Sequence, residues 1–281
     1  LKYGTSEMDD QPAEIRLKSC RIALNRSAIP GIDYCLNPYT GCTHGCIYCY
    51  AACMPSIARD RPWGSFVEVK TNFATQLAQE LHRHQRGTVM LATVTDGYQP
   101  AEKQFQLTRA CLELLGETKL RIAILTKSNL VLRDIDVLSR LPSVSVGFSL
   151  TVAEDAIARL VEPGAPPTSA RLAAMASLSR VGIRTWAFIA PVIPGIGDTE
   201  ENLFHLAQAA YAAGAQEIDF DPLNFYKVAV TKLERLLARH FPRRLAYLRE
   251  ACGDPQAYRR RVGHLARRLL QAVCPSRIPQ D

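Results

Sequence analysis

The sequence predicts an α/β fold: a partial (β/α)6 TIM-type barrel with an irregular N-terminal extension and a basic helical C-terminal segment. Three observations carry this reading. Short β-branched runs alternate with stretches whose apolar residues recur at helical spacing, the order that builds parallel strands joined by helices. Glycines stand just after several of the helical stretches, where a capping residue is wanted. Loops rich in Pro and Gly follow the later strands, on the face where a parallel barrel builds its sites.

Taken in order, residues 1–30 are polar, with Arg16, Lys18, Arg21 and Arg26, and read as a surface extension. Residues 32–36 supply a first strand, and 88–94, 120–126, 144–150, 184–190 and 217–220 supply five more. Residues 72–84, 105–115, 132–141, 169–181 and 200–213 have helical spacing. Gly116, Gly182 and Gly214 follow three of these helices as left-handed caps. Six parallel strands with right-handed crossovers result, an open doubly wound sheet being the second choice. Pro191, Pro194, Gly195 and Gly197 form the loop after the fifth strand, and Asp221 to Asn224 follow the sixth. Beyond Lys227 the pattern is helical and basic, with Arg243, Arg244, Arg259, Arg260, Arg261, Arg267 and Arg268. The expected division is therefore 1–30, 31–226 and 227–281.

With 281 residues, 47% of them hydrophobic, the chain is long enough for one sizeable catalytic domain. No run approaches the roughly 20 apolar residues of a membrane helix, and the N-terminus lacks the apolar core of a signal peptide. A soluble, cytoplasmic protein without a membrane partner is expected. The first residue is Leu1 rather than Met, so the numbering reads as starting inside the natural sequence or after a removed tag. Nine cysteines, three of them within eight residues, suit metal binding in a reducing compartment better than a disulfide framework. Cys111, in a helical pattern, reads as inert core. The net charge of +7 and pI near 9.0 are compatible with a polyanionic partner such as DNA or RNA.

The chemistry concentrates in residues 37–50. Cys42, Cys46 and Cys49 are spaced to wrap a compact loop around one iron–sulfur cube, and Gly41 and Gly45 let the backbone turn tightly. Three ligands leave one iron open. A closed zinc site wants a fourth ligand, for which His44 or Cys53 could serve, but zinc ribbons pair Cys-x-x-Cys units across a longer insert. The spacing favours the iron–sulfur cluster.

This CxxxCxxC loop, with Tyr48 before its last cysteine, resembles the signature of the radical S-adenosylmethionine (SAM) superfamily. Residues 37–50, 95–102 and 126–128 look more narrowly like the spore photoproduct lyase-related, or DNA repair photolyase-like, branch, and the resemblance covers roughly residues 30–226. It implies a 4Fe-4S cluster on Cys42, Cys46 and Cys49 whose open iron binds SAM. Reductive cleavage would then give a 5′-deoxyadenosyl radical, with a flavodoxin or ferredoxin as reductant. It further implies that Lys127 contacts the methionyl carboxylate, Ser149 the ribose, and Thr95 and Asp96 the methionyl amino group, with Tyr48 and Tyr50 beside the cofactor. Tyr98, Glu102, Glu162 and Asn224 are candidate substrate-side groups.

Each residue also has a plainer reading. Lys127 could be an exposed strand-end lysine, Ser149 a small packing residue, Glu102 and Glu162 solvated loop carboxylates, and His44 a residue behind the ligands or at the surface. The sequence departs from the lyase pattern at Thr93, which stands where the lyase carries its hydrogen-donating cysteine. It also lacks the lyase's C-terminal hairpin pattern, so a different substrate is expected. A nucleic-acid base or nucleotide fits the C-terminal arginines as phosphate contacts. The alternatives are a radical enzyme acting on a small molecule or peptide, and a nucleic-acid-binding protein with a structural metal.

Overall fold

A computed structural model describes residues 13–57, 61–84 and 86–273. Its main sheet has seven strands in the order β10-β9-β8-β7-β6-β3-β2. These are β2 (Leu24–Arg26), β3 (Tyr34–Leu36), β6 (Thr88–Leu91), β7 (Arg121–Thr126), β8 (Val144–Leu150), β9 (Arg184–Val192) and β10 (Ile218–Pro222). From β3 to β10 every neighbouring pair is parallel, and β2 adds an antiparallel edge on β3. β2 and β10 remain unjoined, so the barrel is partial.

Period-two alternation decides what each strand does. On one face Val89, Leu91, Ile122, Ile124, Val146, Phe148, Ala187 and Ile189 are buried in the apolar core. On the other, Met90, Ala123, Leu125, Ser145, Trp186 and Phe188 line an interior cavity. The crossovers carry α1 (Phe73–Leu81), α2 (Glu102–Phe105), α3 (Leu107–Leu115), α4 (Ile135–Leu138), α5 (Asp155–Val161), α6 (Thr168–Arg180) and α7 (Glu200–Ala212). Three helices follow the sheet: α8 (Lys227–His240), α9 (Leu245–Gly253) and α10 (Pro255–Val273). No described helix is long and apolar enough to cross a membrane.

The structure departs from the sequence reading at several points. The stretch read as an irregular extension contains β1 (Glu14–Lys18) and β2, while residues 1–12 lie outside the described residues. β1 pairs parallel with β5 (Phe66–Lys70), which pairs antiparallel with β4 (Tyr39–Thr40), making a three-stranded sheet beside the main one. All five β1 residues are exposed, so it joins through its backbone and buries no side chain that would mark it. Gly182 and Gly214 have positive φ, +82° and +91°, as expected of caps. Gly116 does not: its φ is −59°, and the helical turn runs on. The helix expected over 132–141 is instead a 3-10 turn, Asn129–Asp134, followed by α4. Buried Asp134 holds that turn by accepting from both Arg109 and Arg133.

The C-terminal helices are packed against the barrel. Tyr258, Val262 and Leu269 of α10 belong to the main core. Leu233 and Leu237 of α8 and Leu248 of α9 belong to a second apolar cluster that also contains Cys46 and Tyr48. Helices outside the strand–helix repeat therefore cover the cysteine loop.

Candidate active site

The chain leaves β3, makes the short β4, and enters the cysteine loop through Gly41. There φ is +84°, and a Cβ would lie 2.5 Å from the Phe66 carbonyl oxygen, so only glycine fits without displacement. The loop is fastened from two sides. From the β6 end, Gln99 Oε1 accepts from Thr43 N (3.0 Å), and Gln99 Nε2 and Thr95 Oγ1 donate to the Gly41 carbonyl (3.2 and 2.6 Å). From the segment after β8, the Val161 carbonyl accepts from Ile47 N and Gly164 N donates to the His44 carbonyl, both at 3.0 Å.

Cys42, Cys46 and Cys49 line one cavity of about 770 Å3, together with Tyr48, Tyr50, Thr95, Asp96, Lys127, Ser149 and Asn224. Burial pushes the Cys42 thiol well above its usual pKa, the Cys46 thiol up to about 12, and raises Cys49 too. Thiolates there need a metal to stabilise them, and loading releases protons. Among the described residues no three His, Cys, Asp or Glu side chains gather as a single-ion site.

Behind the cavity a buried carboxylate organises the wall. Glu162 accepts from the hydroxyls of Tyr48 and Thr151 and pairs with Arg171, whose Nη1 also donates to the Ser149 carbonyl at 3.0 Å. Glu162 is 1% and Arg171 0% exposed. Burial alone would raise the Glu162 pKa, but Arg171 and Lys127 hold it down to about 2. Lys127 Nζ lies 3.9 Å from Glu162 Oε1 and 5.8 Å from the centre of the Tyr48 ring. Burial opposes its charge, yet Cys46 and Glu162 raise its pKa, so it remains an ammonium in the cavity wall. Asp96 accepts from Tyr98 N, Thr126 Oγ1 and Lys127 N, and its Oδ2 is 3.3 Å from His44 Nδ1. Against the effect of burial, His44 and these donors hold its carboxyl below the usual range. Asp96 therefore lines the cavity with its oxygens already engaged.

Three of the candidate substrate-side residues do not line this cavity. Glu102 is fully buried away from the cavity, accepting from Tyr39, Thr108 N and Arg133. Glu162 stands behind the wall as described, and Tyr98 is buried outside this cavity. Asn224 does line it, and accepts from Arg259 Nη2 at 3.3 Å. The Tyr50 hydroxyl donates to the Thr93 carbonyl, and Thr93 Oγ1 accepts from Asn37 Nδ2 at 3.1 Å.

Sequence reasoning missed Arg171, although its position three, four and seven residues before Ala174, Met175 and Leu178 sets it on the buried face of α6. It also missed Trp186, Asp219 and Asp221, which line the cavity. Their signal was the alternation along β9 and β10. The arginines expected to be free for phosphate are partly committed: Arg261 pairs with Asp198 (2.6 Å), Arg268 with Glu200 (2.6 Å) and Arg259 with Asp221 (3.4 Å).

An open parallel barrel with three thiols, two of them buried, lining one cavity at its strand ends defines a class that comparison with known proteins establishes. Residues 36–207 match the family model of the Radical SAM superfamily, and the chain belongs to that superfamily. It is 37% identical over 177 residues to an uncharacterized protein of Methanocaldococcus jannaschii, covering 63% of this chain and 67% of that one. An uncharacterized protein of Mycobacterium tuberculosis is 36% identical over 208 residues, 70% of this chain and 61% of its own length. A radical SAM Nα-GlyT isomerase of Pseudomonas phage M6 is 28% identical over 223 residues, 78% of this chain and 46% of the phage protein. Among solved structures, a cysteine-to-serine mutant of spore photoproduct lyase superposes with a TM-score of 0.71 at 19% identity, covering 93% of this chain and 80% of the lyase. The fold is thus that of the lyase. The protein is an enzyme of the radical SAM type, a superfamily that uses a 4Fe-4S cluster and SAM.

Proposed function

We propose that Cys42, Cys46 and Cys49 hold the 4Fe-4S cluster and that the cavity beside them binds SAM and a nucleic-acid base or nucleotide. The observation that carries this is the meeting of the three thiols, Lys127 and Ser149 in one cavity. When bound, cluster and SAM supply a 5′-deoxyadenosyl radical. The protein's part is positional. The Lys127 ammonium offers a charge-assisted hydrogen bond to a carboxylate, Ser149 a hydroxyl for a ribose, and Tyr48 an apolar ring. An electron donor such as a flavodoxin or ferredoxin completes the reading, with the cytoplasm as its setting.

Support for a base comes from Trp186 and Phe188, whose rings stand 6.2 Å apart on the cavity wall and suit a planar group. Arg243 and Arg260, without an ion-pair partner among the described residues, are the phosphate contacts of this reading. One observation favours a second reading, a small molecule or peptide with a cationic group: Asp219 and Asp221 line the same cavity. Isotope transfer separates the two. Cluster-loaded protein given SAM and a deuterated DNA oligonucleotide should yield deuterated 5′-deoxyadenosine. Label arriving only from a deuterated amine-bearing small molecule or peptide would replace the first reading by the second.

A further inference from the structure

The loop that carries the three thiols nears the surface on one side. Cys42 and Cys46 are buried, whereas Cys49 is only partly so. A 3-10 turn, Tyr50–Cys53, follows directly, and α8 packs against it. Around this junction Tyr50, Met54, Tyr226 and Val228 are each between 36% and 47% exposed. The Tyr226 amide donates to the Asn224 carbonyl at 2.8 Å, and Asn224 shares the cavity lining with Tyr50. Met54, Tyr226 and Val228 do not line the cavity, so they extend an apolar patch from Tyr50 onto the outer surface beside it. Large apolar side chains gathered at a surface and rimmed by charge mark a place where another protein sits.

The charge around the patch has one sign. Between Tyr226 and Arg249 the chain has seven basic residues and one acidic, Glu234, which Arg249 takes at 3.6 Å. Lys227, Lys232, Arg235 and Arg239 have no ion-pair partner among the described residues. Val228, Lys232, Arg235 and Arg239 follow one another at helical spacing, so they share one flank of α8. The partner that fits is an acidic protein with an apolar centre to its contact surface. Nucleic acid would answer the charge but leave the apolar side chains without a role. Tyr50 follows Cys49 in the chain, so whatever sits on the patch is next to a proposed cluster ligand.

We infer that this patch and the basic flank of α8 are the docking surface of an acidic one-electron carrier protein, the reductant of the proposed chemistry. The inference rests on that chemistry. One electron passes from the reduced carrier to the oxidised cluster on Cys42, Cys46 and Cys49, and no bond is made or broken. Opposite charge steers the encounter and sets its orientation, and the apolar contact holds it.

Calorimetric titration of cluster-loaded protein with an acidic flavodoxin at about 50 mM salt tests it. Saturable binding is expected, severalfold weaker at about 500 mM salt and about tenfold or more weaker in Arg235→Glu/Arg239→Glu. Val228→Ser, an uncharged change on the patch, should weaken it severalfold. In parallel, 5′-deoxyadenosine release driven by flavodoxin and its reductase should fall in the charge-reversed variant, while release driven by dithionite should not. Dithionite needs no docking surface, so its failure in the wild type would fall on the proposed function, whereas the binding isotherm reads the surface alone. No saturable binding at about 100 μM flavodoxin, or equal affinity in wild type and both variants, would overturn the inference. So would a charge-reversed variant that loses affinity for DNA and keeps its affinity for flavodoxin, since α8 would then belong to a nucleic-acid interface.

Discussion

Glu162 and Lys127 show how single residues make the site. Glu162 is a buried anion held by Arg171, and it holds Lys127 in turn, so the cation facing the cavity is anchored from behind. Lys127→Ala should weaken SAM binding by about 1.5 to 3 kcal/mol, the range of a charge-assisted hydrogen bond, while iron content stays unchanged. Unaltered affinity in cluster-replete Lys127→Ala would return Lys127 to a structural role. The Glu162 pKa is lowered from an ordinary 4.5 to about 2, so its contribution to stability is present above about pH 4.5 and fades as pH falls toward 2. That contribution is on the order of 3 kcal/mol. Thermal melts between pH 6 and 3 should show this loss in wild type. Glu162→Gln should melt lower at pH 7 and show a shallower acid slope, and an equal slope in both would contradict the assignment.

At the scale of elements, the cysteine loop is a turn that neighbours hold in shape. Gly164 approaches so closely that a Cβ there would collide with the Thr43 carbonyl. Gly164→Ala should therefore displace the loop and lower iron uptake, with the helical circular dichroism of the barrel preserved; full iron loading in this variant would show that the clamp is dispensable. Leu237 is fully buried in the cluster shared with Cys46 and Tyr48. Leu237→Ala should cost about 2 to 5 kcal/mol of stability and shorten the lifetime of the bound cluster in air, measured as bleaching of its absorbance. Legibility at this scale followed the periodicity. β7, β8 and β9 carry alternating apolar residues, and 120–126, 144–150 and 184–190 were readable as strands. β4 has only two residues and β1 no buried face, so neither carried enough pattern to outweigh its composition. The Glu162–Arg171 pair joins residues nine apart around a bend, a pairing that no local pattern encodes.

At the scale of the molecule, the C-terminal helices change meaning. Their composition suggested a free basic surface, but the structure uses Arg259, Arg261 and Arg268 to tie α10 to Asp221, Asp198 and Glu200. Reversing those charges would loosen the barrel along with any surface. Arg243 and Arg260 are the cleaner probes: Glu at both should lower DNA or RNA affinity at low salt and flatten its salt dependence, by roughly 0.7 to 0.9 in slope for each phosphate no longer neutralised. Undiminished binding in that variant would remove the helices from the interface. What the sequence could not convey was which arginines are already paired, because the acidic partners come from distant loops.

In the proposed function, the loop of Cys42, Cys46 and Cys49 is what would make this fold a SAM-cleaving enzyme. Its most direct test is anaerobic reconstitution with iron and sulfide, reduction with dithionite, and chromatography of the products after SAM is added. The expected result is about four irons per chain and release of 5′-deoxyadenosine with methionine, both lost in Cys46→Ala. Undiminished 5′-deoxyadenosine release by Cys46→Ala, or a wild-type protein that takes up zinc and no iron, would contradict it.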